Sequence, residues 1–196
     1  MTWATRIGLA GLAGTIVLAG AVWPAAAQTL KVSVRSGNQP NLSNDLLTAT
    51  ESRVAAIYAD AGVEMTFVHD GPADLFVSLV SPNNEEKMHQ VADALGFTPY
   101  SEKARGRIAY VFQGRVDQIA QGYGAPRSVV LAAAMAHEIG HMLLPLNAHS
   151  KSGVMRATLT QPDLRNALFC KLLFTPEQAS LIRSRLMNAE QQVALR

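Results

Sequence analysis

Apolar and polar residues alternate along "LKVSVR" at positions 30–35, the period-two signature of a strand with one buried face. The period then changes. "SNDLLTATESRVAAIYADAG" carries its apolar residues at helical spacing, with Ser43 as N-cap and Gly62 as the stop. "VEMTFVH" and "DLFVSLV" are β-rich runs separated by the turn "DGPA". "NEEKMHQVADALG" returns to helical spacing and ends at Gly96, and "GRIAYVF" reads as a further strand with Ile108, Tyr110 and Phe112 on one side. The chain closes on "TPEQASLIRSRLMNAEQQV", a helix with Thr175 as N-cap, Pro176 in its first turn and Gln178 at the capping-box position. Strands alternating with helices predict a layered α/β or α+β domain.

Between the last strand and the last helix lies a stretch of different character. Helical spacing begins near Pro126, runs through "RSVVLAAAMAHEIGHMLL" and stops at Pro145, which disfavours helix at the residue before it and lacks a backbone donor. Val130, Ala134, His137, His141 and Leu144 share one face, while Leu131, Met135, Ile139 and Met142 share the other. A helix apolar on both sides is a buried one. Its two histidines therefore need polar partners, because unsatisfied imidazoles cost free energy.

The first thirty residues, "MTWATRIGLAGLAGTIVLAGAVWPAAAQTL", follow another rule. One positive charge, Arg6, precedes an apolar stretch from Ile7 to Trp23, and small residues follow in "AAA". This three-part pattern predicts a secretory signal over residues 1–27, cut after Ala27, and a working domain over 28–196 that is secreted or periplasmic. The stretch is short for a span of about 20 residues and carries glycines throughout, so no stable membrane insertion is expected after cleavage. With 196 residues and 48% apolar content, the chain is long enough for one well-buried domain and short for two. A formal net charge of +2, with no run of like charges, gives no argument for a nucleic-acid partner. The single cysteine, Cys170, cannot form an internal bridge, and its context "ALFCKLLF" predicts a buried, unpaired thiol.

Three of the five histidines fall in "AHEIGHMLLPLNAHSKSGVM", residues 136–155. His137 and His141 are one helical turn apart and can both direct a ring nitrogen to one metal ion at about 2.0–2.1 Å. Glu138 is rotated about 100° from His137, which places its carboxylate beside such an ion rather than on it. That is the H-E-x-x-H arrangement of two ligands and one general base. A catalytic zinc site takes three protein ligands and leaves a fourth position open. His149 lies beyond the helix end, and a chain reversal at 145–147 brings it within reach. A loop as long as 145–160 is more often functional than idle.

These residues resemble the metzincin zinc peptidases, whose pattern is H-E-x-x-H-x-x-G-x-x-H followed by a methionine-containing turn. His137, Glu138, Gly140 and His141 match "HEIGH", and His149–Ser150 resembles the third ligand with its usual neighbour. Met155 in "SGVM" resembles the turn methionine that lies beneath the metal. The match covers about twenty residues. It implies an α+β domain with a mixed twisted sheet, an active-site helix and a C-terminal helix. It also implies one catalytic Zn2+ held by His137, His141 and His149, Glu138 as general base, and a peptide or protein substrate. In the family an edge strand before the active-site helix binds substrate in extended form, and "GRIAYVF" occupies that place. This chain departs from the pattern by two extra residues before the third histidine and by lacking the glycine at the bend. Leu144–Pro145 stands in its place, and the two extra residues, with Asn147 able to adopt a left-handed conformation, turn the chain more gradually. Arg156 stands where some relatives carry a tyrosine, either as a solvated loop cation or as an electrostatic aid.

Two rival readings follow from the same residues. Glu177 could be a glutamate-type third ligand, or the chain could be a non-catalytic exported metal-binding or interaction domain that keeps the motif. The N-terminal reading is tested by sequencing the exported protein. The expected mature N-terminus is Gln28, and an intact Met1 in a membrane fraction would mean an anchor instead.

Overall fold

The computed structural model describes residues 29–37, 42–85, 88, 94–99 and 107–194. The signal segment expected at 1–27 lies outside them. Strand β1, Leu30–Gly37, buries Leu30, Val32, Val34 and Ser36 and exposes Lys31 and Arg35, so the alternation legible in its sequence is the alternation of its two faces. Helix α1, Asn44–Asp60, starts where the Ser43 hydroxyl accepts the Leu46 N–H at 3.3 Å. It ends before Gly62, which takes φ +80°. It returns the chain to β2, Val63–Val68, which pairs parallel with β1 from Leu30↔Val63 to Arg35↔Val68.

The next strand, β3 (Leu75–Val80), is parallel to β1 on its other side, from Val34↔Leu75 to Gly37↔Ser78. A parallel connection normally needs a long crossover. Here β3 begins at the level where β2 ends, so residues 69–74 suffice to step across β1. Asp74 pins the step: its carboxylate accepts the Ser33 N–H at 2.9 Å and the Ser33 hydroxyl at 2.7 Å. The turn "DGPA" is thus a bridge over a strand and not a hairpin.

After β3 the described chain contains a short helix α2 (Pro82–Glu85), a two-residue strand β4 (Gly96–Phe97) and β5 (Ile108–Phe112). The sheet order is β2-β1-β3-β5-β4, parallel except for the antiparallel β4–β5 pair. Two expectations change here. The helix read over 84–96 is helical at its start, lies largely outside the described residues, and does not stop at Gly96, which opens β4. The strand "GRIAYVF" is not the sheet edge, because β4 pairs outside it through Gly96↔Val111 and Phe97↔Tyr110. On one face of this strand Ala109 and Val111 are buried; on the other, as expected, lie Ile108, Tyr110 and Phe112, exposed, half-buried and buried in turn.

Helices α3 (Gln113–Tyr123), α4 (Arg127–Leu143), α5 (Gln161–Leu168) and α6 (Pro176–Ala194) complete the α/β domain, with six helices among the described residues. α4 sits at the centre, touching α1, α3, α5, α6 and strands β3, β4 and β5. From Val129 to Leu144 only His137 and His141 escape full burial. Tyr58 of α1, fully buried, donates its hydroxyl to the Ala136 carbonyl at 2.9 Å and stacks edge-on against Phe174. α6 begins with the expected capping box: Gln178 Oε1 accepts the Thr175 N–H at 3.1 Å and Thr175 Oγ1 accepts the Gln178 N–H at 3.3 Å. Cys170, in contrast, is exposed. It takes φ +55° in the turn closing α5, where its N–H reaches the Ala167 carbonyl, and Leu172 and Phe174 are buried instead.

Candidate metal centre

α4 delivers two imidazoles and one carboxylate into a cavity of about 310 Å3 because it is long, buried along most of its length, and stopped at Leu144–Pro145. His137 and His141, one turn apart, bring their Nε2 atoms to 3.0 Å from each other. The chain then turns over Pro145–Asn147, with Asn147 at φ +59°, the left-handed conformation expected of it. That turn brings His149 back, its Nε2 3.3 Å from that of His137. Among the described residues, these three form the cluster able to hold a metal, with ligand atoms all within 4.8 Å of one another.

The donor set fits an ion. Nitrogens placed about 2.0–2.1 Å from one centre at tetrahedral angles stand about 3.3 Å apart. His137 Nδ1 donates to the Val154 carbonyl at 2.9 Å, leaving the Nε2 lone pair facing its two neighbours. Ligation requires neutral imidazoles. Burial lowers the pKa of His137, and burial together with the adjacent His137 and His149 lowers that of His141 to about 4.

The segment after His149 supports the site from below. Ser150 N–H reaches the Met155 carbonyl at 3.0 Å, which closes the "SGVM" turn and sets the Val154 carbonyl under His137. Met155 is fully buried against α4 at Gly140, where any Cβ would collide with its sulfur. The glycine of "HEIGH" is thereby explained by close approach. Arg156 lines the cavity, half-exposed, and pairs with Asp163 at 3.5 Å.

Glu138 lies beside the three imidazoles and is buried. Its Oε2 accepts the Thr98 hydroxyl at 2.7 Å. Gly96 of β4 lets it fit, since a Cβ there would stand 2.5 Å from Glu138 Cγ and 2.6 Å from the Tyr110 carbonyl oxygen. Burial raises the Glu138 carboxyl to about 7, against the opposing pull of the Thr98 hydroxyl. Glu177 lies elsewhere: fully exposed on the first turn of α6, its carboxyl is held below the ordinary value by its own backbone N–H and the Thr175 hydroxyl. It is not in the cluster. Thr98 and the Val154 carbonyl were not anticipated from the sequence; a threonine in a loop and a backbone oxygen carry no motif.

No protein-family model matches the chain, and no curated protein matches it. Among solved structures, that of TM1509 from Thermotoga maritima is similar, with 14% identity over 80% of this chain and 93% of that one, at a TM-score of 0.37. Similarity of that degree carries no argument about fold or activity.

The buried carboxyl has a measurable cost. A folded-state pKa of about 7 above an ordinary 4.5 means that the folded protein binds more protons than the unfolded one between those values. Stability contributed by the neutral form is complete below about 4.5 and lost as pH rises through about 7. Glu138→Gln removes that loss. In the metal-free protein it should stabilise by roughly 3 kcal/mol at about pH 8, with the gain shrinking towards zero near pH 4.5. The lowered pKa values of His137 and His141 are common to both proteins and cancel in the comparison. Urea unfolding with chelator present checks this, and a difference independent of pH would mean that Glu138 is not held desolvated.

Proposed function

We propose that this chain is an exported zinc-dependent endopeptidase of metzincin-like type, hydrolysing peptide bonds with Glu138 as general base. The observation that carries the reading is the convergence of three imidazole Nε2 atoms, 3.0 and 3.3 Å from a shared neighbour, beside a buried carboxylate in one cleft. The Met155 turn beneath α4 and the left-handed Asn147 support the family resemblance despite the longer spacing to His149.

The chemistry that a zinc ion supplies when held by three imidazoles with a fourth position open is Lewis acidity, which acidifies water and polarises a carbonyl. The remaining work falls to the chain. His137, tied through Nδ1 to Val154, keeps its tautomer and ring orientation. Glu138 removes the proton from the attacking water and returns it to the leaving amine, the task of a carboxylate that lines the same cleft as the three imidazoles. Thr98 holds the carboxylate by Oε2 and leaves Oε1 for the proton transfer. Gly96–Phe97, outermost on its side of the sheet among the described residues and lining the same cleft, is the edge along which an extended peptide would lie. The rival non-catalytic metal-binding domain would share the ligands but not the cleavage.

Glu138→Gln should lower peptide cleavage by about 10²–10⁴-fold while zinc content stays at the parent value. His149→Ala should weaken zinc binding markedly, and Glu177→Ala should leave it nearly unchanged, because two histidines alone rarely hold catalytic zinc. Metal analysis, competition titration and a peptide-library assay with and without chelator test these together. Cleavage retained in zinc-loaded Glu138→Gln would overturn the mechanism, and one equivalent of zinc without chelator-sensitive cleavage would favour the binding domain.

A further inference from the structure

The segment Leu144–His149 has to place a metal ligand accurately with little structure of its own. Pro145, Leu146 and Asn147 are exposed, and Leu146 is 58% exposed. Backbone hydrogen bonds tie the segment at its margins, from Leu144 N–H to the Gly140 carbonyl at 2.8 Å and from Ser150 N–H to the Met155 carbonyl at 3.0 Å. A loop held only at its ends would spread the His149 imidazole over many positions, and ordering it on metal binding would cost affinity.

α6 reaches this segment at two points. Arg185 Nη1 donates to the Leu144 carbonyl at 3.2 Å, and Gln178 Nε2 donates to the Ala148 carbonyl at 2.9 Å. Ala148 is the residue immediately before His149. Gln178 is itself buried, and its other amide atom, Oε1, is fixed by the Thr175 N–H in the capping box. Both ends of one planar amide are therefore in use: the oxygen orients the group against its own helix, and the nitrogen holds the loop. A glutamate would satisfy the capping box equally well. It could not hold the Ala148 carbonyl, because a carboxylate has no proton to donate.

We infer that Gln178 is a positioning residue for the third metal ligand, holding His149 in place through the Ala148 carbonyl. The inference rests on the metal-centre reading proposed above. It assigns to α6 a part in metal affinity that is separate from its part in folding, and it makes the identity of the residue at the capping-box position matter beyond the cap.

Two substitutions separate these parts. Gln178→Glu keeps the acceptor for Thr175 N–H and loses the donor for Ala148. Thr175→Ala loses the hydroxyl cap and keeps the donor. Zinc dissociation constants from competition with a chromophoric chelator, the visible spectrum of the cobalt(II)-substituted protein, and the Tm of the metal-free protein are measured for each. Gln178→Glu should raise the zinc Kd by about 10–100-fold, as loss of an outer-shell partner does. It should also weaken the cobalt visible bands as four-coordination gives way, and the metal-free Tm should fall as well, because a buried carboxylate then faces the Ala148 carbonyl without a proton to share. The added negative charge would by itself favour a cation, so the loss runs against any charge artefact. Thr175→Ala should lower the metal-free Tm and leave Kd within about twofold. Gln178→Met, which removes the donor without adding charge, should reproduce the affinity loss and carries the test if the glutamate variant fails to fold. In a His149→Ala background, Gln178→Glu should change the zinc Kd no further, because its effect passes through that imidazole.

Parent-like zinc affinity in both Gln178 variants would overturn the inference, as would an equal loss with His149 already removed. A parent protein that binds no zinc would overturn the metal-centre reading itself and this inference with it, an outcome distinct from the other two.

Discussion

The constraint on which this structure turns is the burial of α4 on nearly every side. Packed by α1, α3, α5, α6 and three strands, the helix has almost no polar surroundings to offer, yet its sequence places two imidazoles and a carboxylate in consecutive turns. Each must find a partner, since a desolvated polar group without one costs on the order of 1–3 kcal/mol. The partners come from separate pieces of chain: the Val154 carbonyl for His137, the Thr98 hydroxyl for Glu138, and the ring of His149 for the histidine pair. The cleft exists where these pieces meet.

Burial also tunes the ionisable groups, in opposite senses from one cause. Desolvation disfavours the charged form of any group. In the metal-free protein it therefore lowers the pKa of His137 and His141 and lifts Glu138 to about 7. The neighbouring imidazoles add to the lowering at His137 and His141, whereas at Glu138 burial alone raises the pKa, against the Thr98 hydroxyl. Close approach is part of the same arrangement. Gly140 admits Met155 against the helix, and Gly96 admits the Glu138 stem against β4.

Features written in short stretches of chain were legible beforehand. The alternation in "LKVSVR", the Ser43 and Thr175 caps, the stop at Pro145 and the spacing of "HEIGH" depend on neighbours within a turn or two. α3 and α5 escaped because their apolar positions are sparse: α3 buries Val116 and Ala120 among glutamines and glycines, and α5 buries Leu164 and a capping Asp163. Exposure of Cys170 was hidden for the converse reason. Its apolar neighbours suggest a core position, but a left-handed turn sends the thiol outward while Leu172 and Phe174 go in.

The sequence by itself determined which residues could make a metal site and where the histidine-bearing helix had to stop, because ligand spacing and proline's missing donor are local facts. It also allowed two third ligands, His149 and Glu177. Only the tertiary structure decided between them for the cluster, by turning the chain at Asn147 and leaving Glu177 in solvent. It likewise decided that β4 and not β5 lies at the edge, that Thr98 meets Glu138, and that Gln178 reaches past its own cap to Ala148. The physical reason is the same in each case. Periodicity and capping act over a few residues, whereas a hydrogen bond between positions 40 or 30 residues apart is set by how whole elements pack around a buried helix.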